Sequence, residues 1–248
     1  MSLFRPARGF VYVPETEQGP MKGAKAGSII RNIDKRPPWI VVYRFSQSVV
    51  AAKWPGQLWE VEIVEAAPEQ PNATALYTRA VAVRVLEEKP VSRLFGLHGV
   101  VVCKIIEKAR TLELKDVEAL GESMSLLNQA AYARAWSKWL NHVYSNSTHI
   151  GKDLRHTLAI TGEGAARSPL GGGFMVLYSQ LANRARNLVG DAAFVVCDDD
   201  ELCFAPSWAS ACSALLGAAM AYGAPELLSP ADRDLLLSAW VRTFGGID

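Results

Sequence analysis

Between residues 58 and 85 the chain twice alternates side chains with a period of two. In residues 58–64, Trp59, Val61 and Ile63 fall on one face and Glu60 and Glu62 on the other. Further on, Val81, Val83 and Val85 again share a face. This is the period of a strand, and no helix can bury such a set against a core. The polar stretch at residues 68–74 supplies the turn, so the two runs are expected to pair as an antiparallel hairpin with one dry face.

Two more strands are expected before it. Residues 10–13 form an apolar run closed by Pro14, and residues 39–45 are β-branched and aromatic without alternation, the pattern of a strand buried on both faces. Helical spacing takes over near Pro90. Residues 114–144 lack proline and carry Leu120, Met124, Leu127, Ala131, Ala135 and Leu140 at helical intervals, predicting one long helix. A second helix is expected over residues 174–189, ended by Gly190. Apolar runs on either side of Asp198, Asp199, Asp200 and Glu201 predict a small hairpin with an acidic tip. Two helices should close the chain, the first capped by Ser207, the second started by Ser229, Pro230 and Asp232. The fold class is therefore α+β: an antiparallel β-rich region over residues 1–112 packed against a mainly helical region over 113–248. The length, 248 residues, suits one large domain or two small ones.

Composition narrows the classes of function. Half of the residues are apolar and 21% charged, an ordinary globular balance. Residues 208–222, the most apolar run, reach about four helical turns where a membrane span needs roughly 20 residues. Their small side chains predict a closely packed buried helix instead. The first residues lack a signal-peptide core, so a cytoplasmic location is expected. Cys103, Cys197, Cys203 and Cys212 have no metal-ligand spacing and are expected to be structural thiols. The net charge of +1 hides an asymmetry: residues 1–53 hold nine Lys/Arg against three Asp/Glu, and residues 191–248 hold two against nine. Such a division can steer a charged partner.

A search for chemistry finds little. The glycines of residues 162–173 lack P-loop and dinucleotide-turn spacing and read as a flexible connection. His142, His149 and His156 are seven residues apart, but the intervening sequence argues against one continuous helix. No nucleophile elbow or catalytic cysteine context is present. Neither catalytic residues, nor metal, nor cofactor are expected. Arg31, Lys35 and Arg36 near Trp39 and Tyr43 mix charge with aromatics, yet the chain is near neutral and those aromatics should be core, so direct nucleic-acid binding is not expected.

Residues 54–67, Trp-Pro-Gly-Gln-Leu-Trp-Glu-Val-Glu-Ile-Val-Glu-Ala-Ala, and residues 76–88, Leu-Tyr-Thr-Arg-Ala-Val-Ala-Val-Arg-Val-Leu-Glu-Glu, carry a resemblance. In a mixed α+β chain without a catalytic signature, they resemble the immunity proteins of bacterial polymorphic-toxin and type VI secretion systems, specifically the TsiT-like kind paired with nuclease toxins. The likeness covers about the first 110 residues and the general layout. It implies a cytoplasmic inhibitor that occludes a toxin without chemistry of its own. A nuclease needs a basic cleft, to which acidic side chains are attracted. Asp198, Asp199, Asp200 and Glu201 are the expected contact residues, followed by Glu60 and Glu62. The rival readings are a transferase-like enzyme with a dispersed site and a secretion adaptor or chaperone.

Overall fold

The computed structural model describes residues 7–16, 19–51, 53–71, 76–145, 168–197 and 201–247. Strands β1 (Arg8–Pro14), β2 (Ile29–Arg31), β3 (Ile40–Tyr43), β4 (Gly56–Ala66) and β5 (Tyr77–Lys89) form one antiparallel sheet. The expected hairpin is present, with β4 and β5 paired from Leu58 opposite Lys89 to Ala66 opposite Ala80. What the alternation did not disclose is closure. β5 is paired along both edges, with β2 and β3 on one and β4 on the other; β4 pairs with β1, and β1 meets β3. The sheet thus curls into a small barrel. Irregularities in the β4–β5 ladder near Glu60, Ile63 and Glu65 give these long strands the bend that closure needs.

The dry face became the barrel interior. Trp59, Val61, Val83 and Val85 are buried there, together with Val11, Met21, Ile40, Val42 and Ala80; Ile63 is half-buried against them, and Val81 is buried but is not part of this cluster. β3 corrects one expectation: it alternates, with Ile40 and Val42 inside and Val41 and Tyr43 half-buried. β2 was not anticipated, because three residues are too few to show a period. Leu58 points the other way and is fully buried in a second core, which joins the barrel wall to the helices.

Among the described residues the helices are α1 (Gly99–Thr111), α2 (Leu114–Glu122), α3 (Leu126–Ser145), α4 (Gly173–Val189), α5 (Pro206–Gly223) and α6 (Pro230–Phe244), with the hairpin β6 (Phe194–Val196) and β7 (Leu202–Phe204) between α4 and α5. The last barrel strand ends at Lys89 and α1, which packs on α4 and α5, follows it, so helices take over near Pro90 as the sequence predicts. The long helix expected over 114–144 is two helices, interrupted at residues 123–125. There Asn128 accepts the Ser125 N–H and its own N–H donates to Ser125 Oγ, a local alternative to continued helix. The break leaves Leu127 66% exposed, out of the apolar stripe assigned to it. α5 is the small-residue helix expected, burying Ala211, Ala214, Leu215, Ala218 and Ala221. It starts at Pro206 with no side-chain cap, so Ser207 does not act as one.

Trp54 couples barrel to helices. Its ring stacks on Tyr12 at 6.5 Å and tilts against Phe95 at 5.4 Å, while its indole N–H donates to Glu107 Oε1 on α1 at 2.7 Å. Nearby, the 3₁₀ turn Val91–Phe95 crosses the loop before α4. Leu170 and the glycines at 171 and 173 are buried there, so this end of the glycine run is a tight crossing, not the flexible connection expected; residues 162–167 lie outside the described residues.

Within the helical layer, Ser229 caps α6 by accepting the Asp232 N–H at 3.2 Å, as expected. The Asp232 carboxylate in turn receives Arg134 of α3 at 2.6 and 3.0 Å. This hydrogen bond from Arg134 is the main cause holding the Asp232 carboxyl below the usual carboxylate range. A depressed folded value means that the pair stabilises the fold above the unfolded carboxyl range, near pH 4, and that this contribution is lost as pH falls through the lower folded value. Asp232→Asn should cost about 1 kcal/mol at pH 7, and urea denaturation should show the gap to the parent narrowing by pH 3. An unchanged gap would show that the charge of Asp232 is immaterial.

Candidate functional site

The β6–β7 hairpin is rooted by aromatics. Phe194 stacks on Phe204 at 5.5 Å, Tyr178 of α4 lies 5.0 Å from Phe204, and Arg186 sits over Phe194 at 4.8 Å. Beyond this root the hairpin projects apolar side chains: Val195, Val196 and Leu202 are exposed, Val196 to 68%. Cys197 and Cys203 are bonded to each other as a disulfide across the hairpin's neck, and the Cys197 N–H reaches the Glu201 carbonyl at 2.9 Å. This corrects the expectation of four structural thiols. The sequence separation of six gave no motif, whereas antiparallel pairing brings the two Cα atoms within 6.2 Å. Cys103 and Cys212 do behave as expected: burial pushes both thiols up to about 12, so they are protonated and inert near neutrality.

Of the acidic tip, Glu201 is exposed; Asp198, Asp199 and Asp200 lie outside the described residues. Glu60 and Glu62 are in a different situation. They face outward from the barrel as the alternation required, but their side chains are only 21% and 17% exposed. Lys89 lies 3.1 Å from Glu60 and Arg84 lies 3.9 Å from Glu62, so the neighbouring strand already meets their charge. Arg31 and Lys35 likewise converge on Glu65, at 3.3 and 3.0 Å. The partners of Glu60 and Glu62 are invisible in the sequence because they depend on the register of β4 against β5, and those of Glu65 because they depend on where β2 and the turn after it lie. Among the described residues β6 pairs with β7 alone, and no strand pairing or hydrogen bond links the hairpin to the Glu60/Glu62 face.

A cavity of about 190 Å³ opens where β1 and β3 separate. It is lined by β1 from Val11 to Pro14, by residues 19–21, by residues 39–41 and by Tyr43 and Val50. No local sequence signal marks it, since it is a gap between strands about 30 residues apart. His149 and His156 lie outside the described residues, as does the side chain of His142. Among the described residues no three His, Cys, Asp or Glu side chains come together in a way that could hold a metal ion, and no helix is long and apolar enough to cross a membrane. The chain matches no protein-family model, no curated protein and no solved structure.

Proposed function

We propose that the protein binds and neutralises a cognate bacterial toxin, a nuclease effector of the type VI secretion kind, with the β6–β7 hairpin as its docking element. The observation that supports this is the exposure of Val195, Val196 and Leu202 beside an acidic turn. Apolar side chains on a rooted hairpin provide the area that a partner can desolvate. The carboxylates speed approach to a basic cleft and compete there with phosphate. Glu60 and Glu62, held by Lys89 and Arg84, are a secondary contact at most. In a reducing cytoplasm Cys197 and Cys203 would be held as thiols, so the proposed cytoplasmic action goes with an open neck, which thiol trapping in intact cells reads directly.

The test is replacement of Asp198, Asp199, Asp200 and Glu201 by Asn, Asn, Asn and Gln. The folded protein should keep its stability, because solvated like charges contribute little. Association with the toxin should slow by roughly tenfold at low salt, with the difference fading as salt is raised, and toxin-expressing cells should lose protection. A quadruple variant that associates as fast as the parent at low salt removes the hairpin from the interface.

A further inference from the structure

The rungs of the β6–β7 hairpin pair Phe194 with Phe204, Val195 with Cys203 and Val196 with Leu202. The Cys197 N–H extends the ladder by reaching the Glu201 carbonyl at 2.9 Å. Cys197 therefore stands opposite Glu201 rather than Cys203, and the disulfide crosses the ladder diagonally. It brackets the rung of Val196 and Leu202, two of the three apolar side chains that the hairpin exposes. Side chains alternate along a strand, so the bridge shares a face with Val195, while Val196 and Leu202 share the other with Phe194 and Phe204.

The inner and outer parts of the hairpin are thus held by different means. At the root, Phe194 stacks on Phe204, with Tyr178 and Arg186 against them, and the Ala205 N–H bonds the Ala193 carbonyl at 2.8 Å. Farther out, among the described residues, neither strand pairs with any other. Two strands of three residues are marginal by themselves in water. In the chain-entropy account, a bridge closing so short a loop makes opening of the outer rungs rarer by roughly fifty-fold.

The bridge is also placed to be made and broken without disturbing the fold. The helical core takes Phe204 from the hairpin and, at its edge, Phe194, but neither bridging cysteine. Cys197 and Cys203 are half-buried, within reach of a small thiol. Cys103 and Cys212 do not compete, because burial pushes both thiols up to about 12.

We propose that Cys197 and Cys203 form a reversible thiol–disulfide switch that sets the order of the outer hairpin, with glutathione disulfide as the oxidant. The thiolate of one cysteine attacks the glutathione disulfide, forming a mixed disulfide and releasing one glutathione thiolate. The thiolate of the other cysteine then displaces the second glutathione thiolate, closing the bridge. The pair gives up two electrons and two protons, and glutathione disulfide is reduced to two glutathione molecules; excess glutathione reverses both steps. The consequence for docking rests on the toxin-binding reading: the bridged hairpin presents Val196 and Leu202 already ordered and binds more tightly, and the open neck is the weaker-docking state.

The test equilibrates the ¹⁵N-labelled full-length protein with excess glutathione disulfide or with excess glutathione and follows backbone amide exchange by NMR. Reduction should speed exchange of the Cys197 amide by at least about tenfold. The Ala205 amide, at the root, should change by less than about twofold. The double variant Cys197→Ser, Cys203→Ser should exchange like the reduced parent in both mixtures. A pair that stays bridged in excess glutathione would be a permanent staple and would overturn the proposal. So would equal exchange of the Cys197 amide in the two states, or loss of protection in α4 and α5 on reduction. A toxin that dissociates equally fast from both states would overturn the regulation of docking. A toxin that binds neither state would remove the toxin-binding reading and leave the exchange difference standing.

Discussion

Gly171→Ala should lower the unfolding free energy by about 4 kcal/mol, combining a left-handed backbone cost with overpacking. Gly171 has φ +53°, and a Cβ there would collide with the Leu94 carbonyl oxygen. The obstacle is backbone, which no rotamer change can move aside. Opposite it, Gly96 at φ +84° faces the Pro169 carbonyl in the same way, so each of the two loops presents a glycine to the other's main chain. Separating them would open the core around Leu94, Phe95 and Leu170, all at most 1% exposed. Gly190 is the control: its φ is +64°, with nothing within 4 Å of an added Cβ. Gly190→Ala therefore carries the conformational cost alone, about 1 kcal/mol. Urea denaturation of both variants separates the two contributions. Equal losses would mean that the loops are not in backbone contact.

Phe95→Ala should cost about 3–5 kcal/mol, the range for emptying a well-packed aromatic site. Phe95 is fully buried, in the turn that carries the chain from β5 into α1, and its ring meets Trp54, which holds Glu107. The second core includes Val49 and Leu58 from the barrel side together with Val102, Ile105 and Ile106 of α1. Removing Phe95 leaves a cavity on the seam between barrel and helices. The parent should melt in one transition, and Phe95→Ala should shift it, with the barrel and helical signals beginning to separate. Phe45→Ala makes the comparison, since Phe45 is 57% exposed and its loss should cost under about 1 kcal/mol. A loss below 1 kcal/mol for Phe95 as well would show barrel and helices to be energetically independent.

The parts of this molecule that could be read in advance are those whose physics is local. Trp59, Val61, Val83 and Val85 sorted to one face because strand geometry alternates whatever lies beyond it. Gly190 ended α4 and Ser229 began α6 because capping needs only a few neighbouring residues. The β6–β7 hairpin was legible for the same reason, whereas the exposure of Val195 and Val196 has no local signal. The split of α2 from α3 was local too, and Ser123 and Ser125 were the signal passed over. The surroundings of the candidate site were less legible. The alternation places Glu60 and Glu62 on the outer face, but only the strand register sets Lys89 and Arg84 beside them.

The sequence by itself determined the strand and helix periods, the dry face of the β4–β5 hairpin, the capped helix ends and the placement of charge toward the two chain ends. Only the tertiary structure decided that β5 is shared by two edges and closes a barrel, that Cys197 meets Cys203, and that β1 and β3 part after one residue pair to leave a cavity beside Trp39. The reason is range. Side-chain period and capping are set within a few residues, whereas strand closure and the gap it leaves depend on segments about 30 residues apart meeting in one register, which no local pattern encodes.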